Sequence, residues 1–177
     1  MQIHATNIKG IGASQVVISF LDSCSRLGYI SNSKIYLPFE GYLSRYNPQN
    51  GHIIRYKRIL PNGFSRLIEC FFSRFIFPNE ATIVLGDIPL RGIYNQIILV
   101  HQSNLVYPKV NPYSSKKLNF RLNRFMFSIN NKYANKIIMM QGLFHYQLKQ
   151  NLLYFPQSSF LTFLANAIMS KVELTDP

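Results

Sequence analysis

The chain opens with MQIHATNIKGIGASQVVISFLDSCSRLG, residues 1–28, in which a short strand, a glycine-containing loop and an amphipathic helix follow one another. Gly10 and Gly12 permit positive φ and close backbone approach, and Ser14 is placed to cap the helix. Apolar residues then recur at helical spacing as far as Gly28, which is placed to end the helix. This order of elements is typical of the first unit of an α/β domain.

Strand-like and helix-like runs alternate along the rest of the chain. Because parallel strands need crossover connections, the alternation predicts a doubly wound, mostly parallel sheet with helices on both faces and the strand order 3-2-1-4-5-6. The predicted later strands are residues 33–38, 52–58, 81–87, 96–102 and 136–141, and the predicted later helices are residues 65–76, 116–129 and 143–150.

The two longer of these helices carry apolar residues at a period of about 3.6, which predicts that those residues face the core. In the helix at 65–76 they are Leu67, Ile68, Phe71, Phe72 and Phe75. In the helix at 116–129 they are Leu118, Leu122, Phe125, Met126 and Ile129, and a basic face formed by Lys117, Arg121 and Arg124 is predicted on the opposite side.

The charge of the chain is strongly positive and unevenly distributed. The chain has 177 residues and a formal net charge of +12. Residues 88–172 contain ten Lys or Arg residues and no Asp or Glu. A positive field of this size favours anionic partners, which include nucleic acid, phospholipid and phosphate-bearing substrates.

Several classes of protein are disfavoured by the composition. Cys24 and Cys70 both lie in apolar helical patterns, which suits buried thiols in a reducing compartment better than a disulfide framework. The first residues do not form a secretory signal, and no apolar run reaches the roughly 18 residues of a membrane-spanning helix. We therefore expect a cytoplasmic protein. The four histidines are isolated from one another, so we expect no metal site.

Ligands of doubly wound sheets collect beyond the carboxyl ends of the strands, so the residues that follow each apolar run are candidates for a site. His101 opens a polar loop after a buried strand; either it binds a substrate hydroxyl or phosphate, or a neighbouring backbone carbonyl satisfies it. Asp87 either binds a hydroxyl or only shapes the turn before Pro89. The candidates are Gly10, Gly12, Gly86, Asp87, His101, Gln102, Asn104, Gln141 and Gly142.

Five segments together carry a family resemblance. They are NIKGIGASQVVISFLDSCSRLGY, TIVLGDIPLRG, QIILVHQSNLVYP, NPYSSKKLNFRLNRFMF and YANKIIMMQG. In their order they resemble the N-terminal, acceptor-side Rossmann-like half of GT-B glycosyltransferases, of the kind found in glycosyltransferase family 4. The resemblance covers about residues 1–150, and residues 151–177 form an atypical C-terminal tail.

The resemblance implies a set of roles. Gly10 and Gly12 would form the loop facing the interdomain cleft, His101 would be the active-site histidine, and Asn104 would lie nearby. The implied reaction transfers a hexosyl group from a nucleotide-sugar, with retention and with no cofactor or metal, to a saccharide or lipid-linked acceptor in bacterial surface-polysaccharide assembly. The resemblance implies that a second domain holds most of the nucleotide-sugar. We do not expect that domain in this chain, so we expect no transfer by this chain alone. Residues 139–142 depart from the family pattern, including Gln141.

Two other functions fit the composition. A non-catalytic fragment that binds an anionic membrane surface or a partner would explain the positive charge and the missing donor domain. A nucleic-acid-binding module would explain the charge and the aromatic residues, but Phe71, Phe72, Phe75 and Phe125 are predicted to face the core and no binding motif is present, so nucleic acid is not an expected partner.

Overall fold

The structure is a computed structural model that describes residues 1–8, 10–57, 62–102, 105 and 118–139. The strands and helices occur in the predicted order, with boundaries within a few residues of those expected. The strands are β1 (Gln2–His4), β2 (Lys34–Pro38), β3 (His52–Tyr56), β4 (Thr82–Val84), β5 (Gln96–Val100) and β6 (Ala134–Met139), and the helices are α1 (Ile11–Arg26), α2 (Asn62–Ile76) and α3 (Leu118–Asn130).

The six strands form one sheet in the order β3-β2-β1-β4-β5-β6. Every pair of neighbouring strands is parallel. The predicted order and the prediction of a Rossmann-like α/β fold are therefore confirmed. The direction of winding reverses between β1 and β4, so the carboxyl ends of these two strands mark the switch point at which such sheets bind ligands.

Alternate residues of each strand serve the two faces of the sheet, as the twofold period of a strand requires. In β5, Ile97 and Leu99 pack with α1, whereas Ile98 and Val100 pack on the other face. The second face is shared by α2 and α3, because Cys70 and Met126 lie together with Ile88 in a third cluster. Helices therefore cover both faces, as expected.

Helix α1 begins and ends on glycines. Its N-cap is Gly10, and Ser14 lies one turn inside the helix, where its hydroxyl donates to the Gly10 carbonyl at 2.9 Å. The prediction that Ser14 caps the helix is therefore wrong, because its side chain turns back onto the backbone of its own helix. Gly28 has a φ of +77°, and its N–H donates to the Ser25 carbonyl while the Tyr29 N–H donates to the Cys24 carbonyl. These paired bonds form a Schellman motif and confirm that Gly28 ends the helix.

Helix α2 turns part of its predicted apolar stripe to solvent, contrary to the prediction, although Phe71 packs against the core. Phe72 is 52% exposed and Phe75 is 83% exposed, whereas Glu69 and Ser73 are buried against the domain. The cause is Phe77, which directly follows the helix and is buried with its ring against His4, at 4.4 Å between centroids. Residues four apart share a helix face, so the anchoring of Phe77 turns Ser73 and Glu69 inward. Phe72 and Phe75 are turned outward as a result.

Helix α3 is rotated from the predicted orientation in a similar way. Phe127 is buried with Leu90 and Ile98, and the Asn130 side chain donates to the Pro89 carbonyl at 3.0 Å. These two contacts fix the rotation of the helix. Met126 is buried as expected, but Leu118 is 77% exposed and Phe125 is 57% exposed, so both predictions of a core position are wrong.

Both cysteines are buried and neither forms a disulfide, as expected. Burial raises the pKa of the Cys24 thiol to about 12, which keeps it protonated at neutral pH. Within the described residues, no helix is both long and apolar enough to cross a bilayer. The predicted helix at 143–150 and the tail at 151–177 lie outside the described residues.

A row of buried polar side chains crosses the amino edge of the sheet. Gln2 is paired in register with Thr82, and Thr82 with Gln96. The Gln2 amide donates to the Pro78 carbonyl at 2.7 Å and to the Thr82 hydroxyl at 2.8 Å. The Gln96 amide accepts from the Leu90 N–H at 2.9 Å and donates to the Leu90 carbonyl at 2.6 Å. Gln96 therefore ties the loop between β4 and β5 to the sheet.

We expect Gln96→Leu to lower the free energy of unfolding by about 2 to 4 kcal/mol, because it leaves buried backbone groups of Leu90 without partners. Denaturant titration measures the loss. Gln15→Leu is the matched control, since Gln15 is exposed on α1 and its replacement should change stability little. Equal stability of the two variants would contradict the role given to Gln96.

His4 is buried in an aromatic cluster at the centre of the sheet. Its ring stacks on Tyr36 with centroids 4.4 Å apart, and Nε2 lies 3.3 Å from the Gln2 side-chain oxygen. No described group forms a hydrogen bond with the buried Nδ1. Burial lowers the pKa of His4 from 6.5 to about 3, because the charged ring would lose its hydration.

This shift makes stability depend on pH in a defined direction. The folded protein holds His4 neutral, so the contribution is full above pH 6.5 and is lost as the pH falls toward 3. Below pH 6.5 the free energy of unfolding should fall by about 1.4 kcal/mol per pH unit from His4 alone. In His4→Phe this part of the slope should disappear, whatever the variant's absolute stability.

Denaturant titrations at several pH values compare the slopes directly. His52→Phe serves as the control, because His52 is exposed and its replacement should leave the slope below pH 6.5 in place. A slope that survives in His4→Phe would show that His4 is not the titrating group.

Candidate functional site at the carboxyl edge of the sheet

The loops that follow β1, β4 and β5 meet at the carboxyl edge of the sheet. All three strands are parallel, so their carboxyl ends lie on the same side. Gly86 approaches the β1–α1 loop so closely that a Cβ on it would lie 3.1 Å from Cβ of Asn7. The edge thus brings the start of α1 beside the segment that contains Asp87 and His101.

The N-terminus of α1 lies open at this edge. No side chain caps it, and no acidic residue occupies its first turn. The first N–H groups of an α-helix have no partner within the helix, and the helix dipole is positive there. Such an end attracts anions.

Gly10 and Gly12 leave space around this helix end. A Cβ on either residue would meet no atom within 4 Å. The expectation of positive φ is wrong, because Gly10 has a φ of −71° and Gly12 lies within α1. The start of α1 is therefore uncrowded at both glycines, and neither position requires an unusual backbone.

Asp87 ties the end of β4 to the end of β5. Its carboxylate accepts the backbone N–H of His101 at 2.6 Å and that of Gln102 at 3.2 Å. The residue is 5% exposed and has a φ of +68°, a conformation that Asp adopts more readily than most residues. These contacts give Asp87 a structural role between two strand ends, which neither interpretation of the residue predicted.

His101 is oriented by a backbone carbonyl. Its Nε2 lies 2.9 Å from the Leu85 carbonyl oxygen, which can only accept, so Nε2 carries a proton. In the neutral ring Nδ1 then bears the lone pair and can accept a hydrogen bond. The Leu85 carbonyl is thus a backbone partner of the kind that the second interpretation of His101 described. It satisfies one ring nitrogen and fixes the tautomer of the neutral ring.

The remaining candidates fall into two groups. Asn104, Gln141 and Lys117 lie outside the described residues. Arg121 is exposed and Arg124 is half-buried, and both lie on α3. Exposed Leu118 and Phe125 flank Arg121 on that surface, so the predicted separation of basic and apolar faces is wrong.

A polar groove along the outer side of α1 was not predicted. It has a volume of about 930 Å³ and reaches from Gly12 at the helix start to Arg26 at its end. Gln15, Ser19 and Asp22 line it at the spacing of one helix face. That spacing is visible in the sequence, but the opposite wall comes from Asn47 and Gln49, which only the fold brings there.

Metal ligands do not cluster in the part of the chain that the structure describes. No group of three His, Cys, Asp or Glu side chains there could hold a metal ion. The described residues of this edge offer hydrogen bonding by His101 and anion binding by the start of α1. The groove adds hydrogen-bond donors and acceptors.

Substitutions at Asp87 separate its two structural features. Asp87→Ala should lower the free energy of unfolding by about 2 to 4 kcal/mol, because it removes an acceptor for two N–H groups and tolerates positive φ less well than Asp does. Asp87→Gly removes the same acceptor but tolerates positive φ, so it should lose less. Asp87→Asn keeps an acceptor and should lose least. Denaturant titration ranks them, and a glycine variant as stable as the wild type would rule out a contribution from the carboxylate.

Comparison with known proteins yields no relative. No protein-family model, no curated protein and no solved structure matches this chain.

Proposed function

We propose that this chain is the acceptor-binding, Rossmann-like half of a GT-B glycosyltransferase. The reaction moves a hexosyl group from a nucleotide-sugar to a saccharide or lipid-linked acceptor, in the cytoplasm, during assembly of a bacterial surface polysaccharide. The family resemblance supplies this reaction class and its retention of configuration. The fold and the carboxyl edge supply groups suited to it.

The observation that carries the proposal is the position of an uncapped helix N-terminus on the same sheet edge as His101. Gly10 and Gly12 leave that helix end accessible, and the sheet changes its winding direction beside it. An anionic diphosphate fits there, because backbone N–H groups and the helix dipole both favour negative charge.

The chemistry needs two kinds of group. The bond between the sugar C1 and the diphosphate oxygen breaks, and its electrons leave with the diphosphate. The acceptor oxygen bonds to C1 as its hydroxyl proton passes to Nδ1 of His101. Donors fixed before the reaction stabilise the charge that develops on the diphosphate, and the start of α1 supplies such donors. His101, with Nε2 fixed by Leu85, offers Nδ1 as an acceptor for a substrate hydroxyl.

The groove along α1 is suited to a saccharide. Gln15, Ser19 and Asp22 present amide, hydroxyl and carboxylate groups at regular spacing along it. Sugar hydroxyls pair with such groups. Because the groove starts at Gly12, an acceptor lying in it would have one end at the carboxyl edge.

Gly12→Asp tests the proposal, since it should weaken anion binding while it raises the stability of the fold. Gly12→Asp places a carboxylate in the first turn of α1, where it should raise the free energy of unfolding by about 1 kcal/mol and repel a phosphate. Gly12→Ala raises stability similarly without adding charge, so it is the matched control.

Ligand-detected NMR against uridine and guanosine diphosphate hexoses, and the corresponding hexose phosphates, measures binding. In the proposed enzyme the second domain makes most of the donor contacts, so we expect weak binding, through the diphosphate, to the wild type and to Gly12→Ala. Binding of at least one compound should fall about tenfold or more in Gly12→Asp. Failure of every compound to bind, or equal binding by the two variants, would overturn the proposal.

A further inference from the structure

The outer surface formed by α2 and α3 combines exposed apolar side chains with basic ones. We call this surface the α2–α3 face. Both helices lie on the same side of the sheet and meet through Cys70 and Met126. The exposed apolar residues of the face are Ile68, Phe72, Phe75, Ile76, Leu118 and Phe125.

The apolar character of α2 is concentrated on the side away from the domain. Glu69 and Ser73 are buried, and the Ser73 hydroxyl donates to the Glu69 carbonyl within the helix. Phe75, by contrast, is 83% exposed. A helix that buries Glu69 and Ser73 but leaves Phe72 and Phe75 exposed presents an apolar patch of the kind that marks a contact with a protein or a membrane.

The charges on the face are of one sign. Arg74 and Arg121 are exposed, and the only carboxylate in either helix, that of Glu69, is buried. The whole chain carries a net charge of +12, so its field also favours an anionic surface. Exposed phenylalanines beside arginines are the combination that inserts into the headgroup region of anionic membranes.

We propose that the α2–α3 face docks on an anionic lipid bilayer, with Phe72 and Phe75 inserted among the headgroups and Arg74 and Arg121 paired with lipid phosphates. This inference does not depend on the glycosyl transfer. It places the chain at the surface where a lipid-linked acceptor would reside. The inserted residues, Phe72 and Phe75, are ones that the sequence pattern assigned to the core.

Vesicle flotation tests the docking. The wild type should float with vesicles of phosphatidylcholine mixed with phosphatidylglycerol, float less with phosphatidylcholine alone, and dissociate as salt is raised. Phe72→Ser/Phe75→Ser should weaken binding about tenfold or more, because apolar insertion contributes strongly to interfacial affinity. Arg74→Glu/Arg121→Glu should abolish the preference for phosphatidylglycerol.

The matched control is Leu27→Ser/Phe39→Ser, which removes two exposed apolar residues outside α2 and α3 and should float like the wild type. Retained circular dichroism and unfolding transitions show that each variant is folded. A wild type that does not float, or a phenylalanine variant that floats like the control, would overturn the proposal.

Two further measurements detect other occupants of the face. Light scattering that shows a dimer in the wild type and a monomer in Phe72→Ser/Phe75→Ser would assign the face to a second copy. Oxidative footprinting in the absence of lipid that shows both phenylalanines protected in the monomer would assign it to another part of this chain. Either result would contradict docking on lipid, and full labelling of monomeric protein would support it. Binding of nucleotide-sugars in the same variants should be unchanged, which keeps this test separate from that of the proposed function.

Discussion

The parallel pairing of β1 with β4 is the constraint on which the rest of the structure depends. These two strands have only three residues each, all of them buried, and their register places His4 opposite Val84. The pairing puts the loop before α1 against Gly86, and it reverses the winding direction of the sheet at that point. Because β1, β4 and β5 are parallel, their carboxyl ends lie together, and the helix start, Asp87 and His101 come to lie on one edge.

Buried polar groups hold this short-stranded sheet in register. At the amino edge, Gln2 and Gln96 bind backbone carbonyls of the loops that precede β4 and β5. At the carboxyl edge, Asp87 binds the backbone of His101. Each leaves backbone groups unpaired when removed, so these side chains restrain the connections more firmly than apolar contacts alone would. Rigid connections at the carboxyl edge keep the candidate site in place.

The sequence was sufficient to predict the strands, their order and the edge that carries the candidates. Continuous apolar runs identify buried parallel strands, and right-handed crossovers then leave few strand orders to choose from. Helix rotation was not predictable in the same way. The 3.6-residue period of α2 shows that one side is apolar, but Phe77, which fixes the rotation, lies outside the helix and acts through His4 and Tyr36, both distant in sequence. The groove wall at Asn47 was equally hidden, since only tertiary packing brings it to α1.

The central claim is that the carboxyl edge forms one site, in which the start of α1 binds an anion beside His101. The most direct test titrates isotope-labelled protein with a nucleoside diphosphate hexose that binds to it and follows the backbone amide signals by NMR. The account predicts that the largest shifts fall on Ile11, Gly12 and Ala13, with further shifts at Gly86 and His101. Shifts confined to the amino edge around Gln2 and Gln96, or to the α2–α3 face, would contradict it.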